Sequence, residues 1–132
     1  MAGLPELHRA VKRQDIGAVR TLLRAGADPN VKAAGKTPLM FAAKLSNTRI
    51  IRLLLDAGAK PNVTGPGDWT PLAVAASTGS YRAVALLLES GADPRQPFGH
   101  STVRDYVQQF WPERRKIISL LDSALAERTG AV

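Results

Sequence analysis

The chain has 132 residues, is 45% hydrophobic and 22% charged, and carries a formal charge of +7. That length fits one domain able to bury a core, and the composition excludes an intrinsically disordered chain. The absence of cysteine excludes a disulfide scaffold, a thiol nucleophile and Cys-ligated zinc or iron–sulfur sites, and two histidines are too few for a His-rich centre, so no metal and no cofactor is expected.

Met1 to Ala10 lacks a basic region followed by an apolar stretch and includes Glu6, so no secretory signal is read there. Further along, the first repeated phrase is Arg24-Ala25-Gly26-Ala27-Asp28-Pro29-Asn30, which returns as Asp56-Ala57-Gly58-Ala59-Lys60-Pro61-Asn62 and again as Glu89-Ser90-Gly91-Ala92-Asp93-Pro94-Arg95. Thr37-Pro38-Leu39 likewise returns as Thr70-Pro71-Leu72, an offset of 33. Leu7, Leu39 and Leu72 each stand 19 residues before a glycine of the repeated phrase. A period held in three registers marks a repeat architecture.

Each unit reads as two helices. Thr37 and Thr70 are placed as N-caps, with Pro38 and Pro71 at the first helical position, where a missing N–H costs nothing. The spacing predicts helices over Leu39 to Lys44 and Leu72 to Ser77, whose pairs Ala42-Ala43 and Ala75-Ala76 let a neighbouring unit approach. After the polar breaks Ser46-Asn47 and Thr78-Gly79-Ser80, second helices follow on Ile50 to Leu55 and Val84 to Leu88, stopped by Gly58 and Gly91 as C′ residues free to take positive φ. The Ile50 to Leu55 segment is the most apolar short stretch, yet Arg52 interrupts it and it falls far short of the roughly 20 residues of a membrane-spanning helix. A cytoplasmic location is expected, with secretion left open. In a fourth unit, Thr102-Val103-Arg104-Asp105 takes the opening, Phe110-Trp111-Pro112 the break, and a second helix is expected from Pro112 through Ile117, Ile118, Leu120 and Leu121 to about Ala126.

A unit opened by Thr-Pro-Leu and closed by Leu-Leu-x-x-Gly-Ala-Asp resembles the ankyrin repeat. The likeness covers residues 4 to 126, with repeats at about 4–34, 35–66, 67–98 and 99–126, a tail at 127–132, and one domain over 1–132. Leu4-Pro5-Glu6-Leu7-His8-Arg9-Ala10 keeps Leu-His-x-Ala but lacks the capping Thr, so the first repeat reads as an N-terminal cap and the fourth as a C-terminal one. The resemblance implies an all-α solenoid of stacked helix-turn-helix units with hairpin-like loops.

The parts of an enzyme are missing. Gly65-Pro66-Gly67-Asp68 is a turn rather than a phosphate loop, since Pro66 removes an N–H that a phosphate cradle would use. Asp15, Asp28 and Asp93 are scattered, with no acid–base pair, and Ser77 and Ser80 have no neighbouring base. His8 falls where the ankyrin pattern has a structural histidine. A non-enzymatic binding role is therefore expected, as a monomer.

The resemblance implies a concave surface built from loop tips and the outward sides of the first helices. By position these are Lys32, Ala33, Ala34 and Lys36 in the first loop, Pro66, Asp68 and Trp69 in the second, and Phe98 and His100 in the third. The helix positions are Arg9, Lys12 and Arg13, then Lys44 and Leu45, then Ser77 and Thr78. Trp69 is a candidate hot spot, whereas Phe41 is expected in the core. Charge is uneven: residues 1–34 carry six Lys/Arg and three Asp/Glu and residues 35–66 five and one, against two and three over 67–98 and five and four over 99–132. The basic excess on the first half points to an acidic protein partner bound stoichiometrically, as an adaptor or an inhibitor of immunity type would bind. The alternative is electrostatic binding to nucleic acid, suggested by a pI of about 10.4. Against it stand arginines spread over both faces (Arg20, Arg24, Arg49 and Arg52 on second helices) and an aromatic content of 5%.

Overall fold

The computed structural model describes residues 4–129. Eight helices follow one another in these residues: α1 Glu6–Lys12, α2 Ile16–Arg24, α3 Pro38–Lys44, α4 Thr48–Asp56, α5 Pro71–Thr78, α6 Tyr81–Glu89, α7 Val103–Phe110 and α8 Arg115–Thr129. β-Pairing among the described residues is confined to two isolated antiparallel bridges, Ala33 with Lys36 and Phe98 with Ser101. The expected all-α solenoid with hairpin-like loops is the fold observed.

Local chemistry places the helix ends. The Thr37 and Thr70 hydroxyls accept from the Met40 and Ala73 amides at 3.4 and 3.1 Å, and Thr102 does the same for Asp105 at 3.3 Å. Second helices are capped by Asp15, Asn47 and Ser80, which accept from Ala18, Ile50 and Ala83. Such caps satisfy amides that the first turn leaves without a partner and contribute about 1 kcal/mol each. At the other end, Gly58 sits at φ +99°, and the next amide, of Ala59, reaches back to the Leu54 carbonyl at 2.9 Å. Ala27 with Leu22 and Ala92 with Leu87 repeat this bond, so all three glycine phrases are Schellman stops.

First helices α1, α3, α5 and α7 pack in one row and second helices α2, α4, α6 and α8 in another. Ala42, Ala43, Ala75 and Ala76 are fully or almost fully buried between the rows, while Leu39, Ile50, Ile51, Leu54, Leu72, Leu87 and Leu121 fill the core. Burying such an aliphatic side chain contributes about 1.5–3 kcal/mol. The repeated phrase also joins the units. Asn30 donates to the Gly58 carbonyl at 3.1 Å and accepts from the Lys60 amide at 2.7 Å, and Asn62 does the same with Gly91 and Asp93 at 3.0 and 2.7 Å. The carboxamide suits this because one side chain both donates and accepts. Arg95 holds the third position of the series, after which no further glycine phrase follows.

The fourth unit departs from expectation. Its second helix starts at Arg115 rather than Pro112, because Trp111 leaves helical geometry at φ −140°, ψ 64° and the Arg114 amide closes a turn onto the Trp111 carbonyl at 3.0 Å. It also runs on to Thr129, through part of the expected tail; residues 130–132 lie outside the described residues. Arg104 ties α7 to α8 by donating to Asp122 at 2.7 Å, and that hydrogen bond holds the guanidinium above its ordinary pKa.

Candidate protein-binding face

Repeat register sets which side chains line up on the first helices. Arg9, Phe41, Val74 and Tyr106 are equivalent positions in successive units, and so are Arg13, Leu45, Thr78 and Phe110. Between the two rows run Lys12, Lys44, Ser77 and Gln109. Every row is cationic in the first unit, and two of the three end on an aromatic residue in the fourth. Arg9, Lys12, Arg13, Lys32, Lys36 and Lys44 are all exposed. Among the described residues only Arg9 of these six has a carboxylate within ion-pair distance, Glu6 at 3.8 Å.

The loop tips close over this face. Ala33 and Lys36 exchange backbone hydrogen bonds at 2.9 and 3.0 Å around Ala34 and Gly35, both at positive φ. The hairpin is anchored from beneath by His8, fully buried, whose Nε2 lies 2.9 Å from the Lys36 carbonyl oxygen. That is the structural role expected of this histidine. In the second loop the Gly65 amide donates to the Trp69 carbonyl at 2.7 Å across the turn Pro66–Asp68. The two loops touch: a Cβ on Gly35 would lie 3.1 Å from Pro66 Cδ, so glycine permits their approach.

Beneath the tips lies a cleft of about 320 Å³ lined by Lys36, Met40, Phe41, Lys44, Pro66, Trp69 and Val74. Its lining is apolar except for the two lysines. Lys12 adds a third cation, its Nζ 5.8 Å from the centre of the Phe41 ring, within cation–π range.

Towards the fourth unit the surface is aromatic. The edge of Trp69 meets Phe98 at 4.8 Å and Tyr106 at 6.0 Å between centroids. Tyr106 in turn packs on Phe98, Phe110 and Trp111. Arg114 lies over Trp111 at 4.3 Å and donates to the last-turn carbonyls of α5, Ala76 and Ser77. Five of the chain's seven aromatic residues gather here.

Most positions picked from the sequence are exposed where expected: the six cations above, Leu45 at 37%, Asp68, Thr78 and His100. The cleft brings Lys36, Lys44 and Trp69 together. Three positions differ. Phe98 is only 7% exposed, wedged between Trp69 and Tyr106 rather than presented at a loop tip. Phe41 is half-buried: it packs against the core and the buried His8 ring, as expected, but also walls the cleft. Trp69 also forms a wall of the cleft, with part of its ring committed to the aromatic cluster. Ser77 and Thr78 both spend their hydroxyls on the Val74 carbonyl, at 3.0 and 2.8 Å. Met40, Val74, Tyr106 and Phe110 were missed by the sequence reading; aligning the units would have placed Val74 and Tyr106 beside Phe41 and Arg9.

Among the described residues no three of His, Asp and Glu lie close enough together to hold a metal ion, and no helix is long and apolar enough to cross a membrane. A family model for ankyrin repeats matches residues 7–97 as three copies. The chain belongs to the ankyrin-repeat family. The match stops before α7 and α8, yet this pair stacks on α5 and α6 as the units before it stack on one another. No curated protein matches the chain. Ankyrin repeats generally mediate protein–protein interaction, and the family is typically non-enzymatic.

Proposed function

We propose that this ankyrin-repeat chain is a stoichiometric protein-binding module, an adaptor or inhibitor, whose concave face takes an acidic partner. The observation that carries the reading is the set of cations on the first two units. Lys12, Arg13, Lys32, Lys36 and Lys44 are all exposed on the first helices and first loop of these units, and no carboxylate lies within ion-pair distance of them among the described residues. Exposed cations left unpaired raise the local potential and speed encounter with an anionic surface. Arg9, Leu45, Asp68, Trp69, Ser77, Thr78 and His100 complete the surface, and buried Phe98 supports it from below.

Nucleic acid remains the competing ligand, but the ring contacts are mostly edge-on, so these rings support one another rather than stand as open stacking platforms. The test is capture from the native host followed by calorimetric titration of the captured protein. A fixed molar endpoint is expected, with binding that persists at moderate salt. Turnover of excess substrate by sub-stoichiometric chain would overturn the reading. So would binding only to nucleic acid that collapses between low and moderate salt.

A further inference from the structure

The geometry points to a defined occupant for the cleft between the second and third units: a single large apolar side chain from a partner segment whose carboxylates lie on one side of it. This rests on the concave-face reading above and gives it a recognition chemistry.

The cleft volume of about 320 Å³ stands at the low end of the roughly 300–1,000 Å³ of ligand pockets. It is too small to admit a helix or a strand and large enough for a Leu, Met, Phe or Trp side chain. Its walls are hydrophobic: Met40 lies at the base, 5% exposed, and Phe41, Trp69 and Val74 stand around it. Methionine adapts its shape to an inserted group, and the half-buried rings of Phe41 and Trp69 lose water when an apolar group enters, the usual driving force for such an anchor. Lys36 and Lys44 are the polar members of the lining, and no acidic side chain is among them. A cation or a second basic segment would face these lysines without compensation, and an amide oxygen would accept a hydrogen bond without neutralising them, whereas a carboxylate beside the anchor would pair with their charge.

The rows also give the segment a polarity. On the first-unit side stand Lys12 and Arg13; on the other side the equivalent positions are Ser77 and Thr78, then Gln109 and Phe110. Neighbouring helices in such a stack sit about 8–10 Å apart, and an extended chain advances about 3.3 Å per residue. Acidic residues therefore belong next to the anchor, over Lys36 and Lys44, and again about three residues away over the first unit. The residues on the far side should be neutral or aromatic.

The experiment is selection of a random 12-residue peptide library, displayed on phage, against the whole chain. Enriched peptides are expected to carry one large apolar residue with two or more Asp or Glu within about three residues on one side. The best peptide, synthesised and labelled, should bind Val74→Trp, which fills the cleft, at least about tenfold more weakly, as expected for loss of an anchor. Lys36→Glu with Lys44→Glu should weaken it by a similar factor, and reselection against that variant should bring in Lys and Arg. The charge-reversed residues are exposed, so this variant decides the matter if Val74→Trp fails to fold. No enrichment, enrichment without acidic bias, or binding indifferent to both variants overturns the assignment. If peptides lose binding in Lys12→Glu with Arg13→Glu but keep it in both cleft variants, the concave-face reading survives and the cleft assignment falls. If only convex-face changes such as Arg49→Glu with Arg52→Glu matter, both fall.

Discussion

Arg114 shows how a surface cation can govern the folding of a terminal repeat. It leaves the turn between α7 and α8 and reaches into the preceding unit, where its Nη1 donates to the Ala76 carbonyl at 2.9 Å and to that of Ser77. Those carbonyls belong to the last turn of α5, where the helix dipole favours a cation; that of Ala76 also accepts from the Gly79 amide at 3.2 Å. The guanidinium also covers Trp111. Arg114→Ala removes all three interactions. A hydrogen bond to a charged group contributes about 1.5–3 kcal/mol, but here one nitrogen serves both carbonyls, so a single such contribution is the fair count. Adding about 0.5–1 kcal/mol for a partly exposed cation–π contact brings the loss to roughly 2–4 kcal/mol. For a chain of this size each kcal/mol moves the melting midpoint by about 3–5 °C, so a drop of roughly 6–20 °C is expected. Calorimetry gives the midpoint, and tryptophan fluorescence, to which Trp111 contributes, should change at or before the main transition. Arg114→Lys should recover only part of the loss, because an ammonium can donate to the carbonyls but has no planar group to lie over the Trp111 ring. A midpoint within about 2 °C of wild type for Arg114→Ala would show that water replaces the guanidinium at little cost and would refute the argument.

Gly58→Val should destabilise by about 1–2 kcal/mol, seen in a thermal melt, because a β-branched residue is strained in the left-handed region; a Cβ there meets nothing within 4 Å, so backbone strain is the whole effect. Trp69→Ala should cost about 2 kcal/mol or more of binding if it is a hot spot, mainly as faster dissociation. Its contacts with Phe98 and Tyr106 mean that it should also lower stability, by about half of the 3–5 kcal/mol typical of a fully buried ring; an unchanged melt would contradict the packing. Lys12→Glu with Arg13→Glu should leave the melt unchanged and slow association with the captured partner, with a flatter salt dependence in stopped-flow traces, because exposed charges act chiefly on encounter.

The amino-acid sequence by itself determined the repeat, the Thr caps of α3 and α5 and the glycine stops of α4 and α6. Those features rest on interactions between residues three to five apart: Thr37 with Met40, Asn47 with Ile50, Ala59 with Leu54. Local rules of capping and positive φ read them directly, and the repeat period multiplies the signal. The basic character of the first two units was equally legible, since charge needs only counting. Only the tertiary structure decided which aromatic faces water. Phe98, expected at a loop tip, is buried, and Phe41, expected in the core, packs against it but also lines the cleft, because the exposure of a side chain in a stack depends on what the next unit places against it. Phe98 is enclosed by Trp69 and Tyr106, whereas Phe41 is only half-buried. The reach of Arg114 to α5 likewise depends on partners 37 and 38 residues away. Gly35 also lets Pro66, a wall of the cleft, come within contact distance, an approach between two loops that no local pattern encodes.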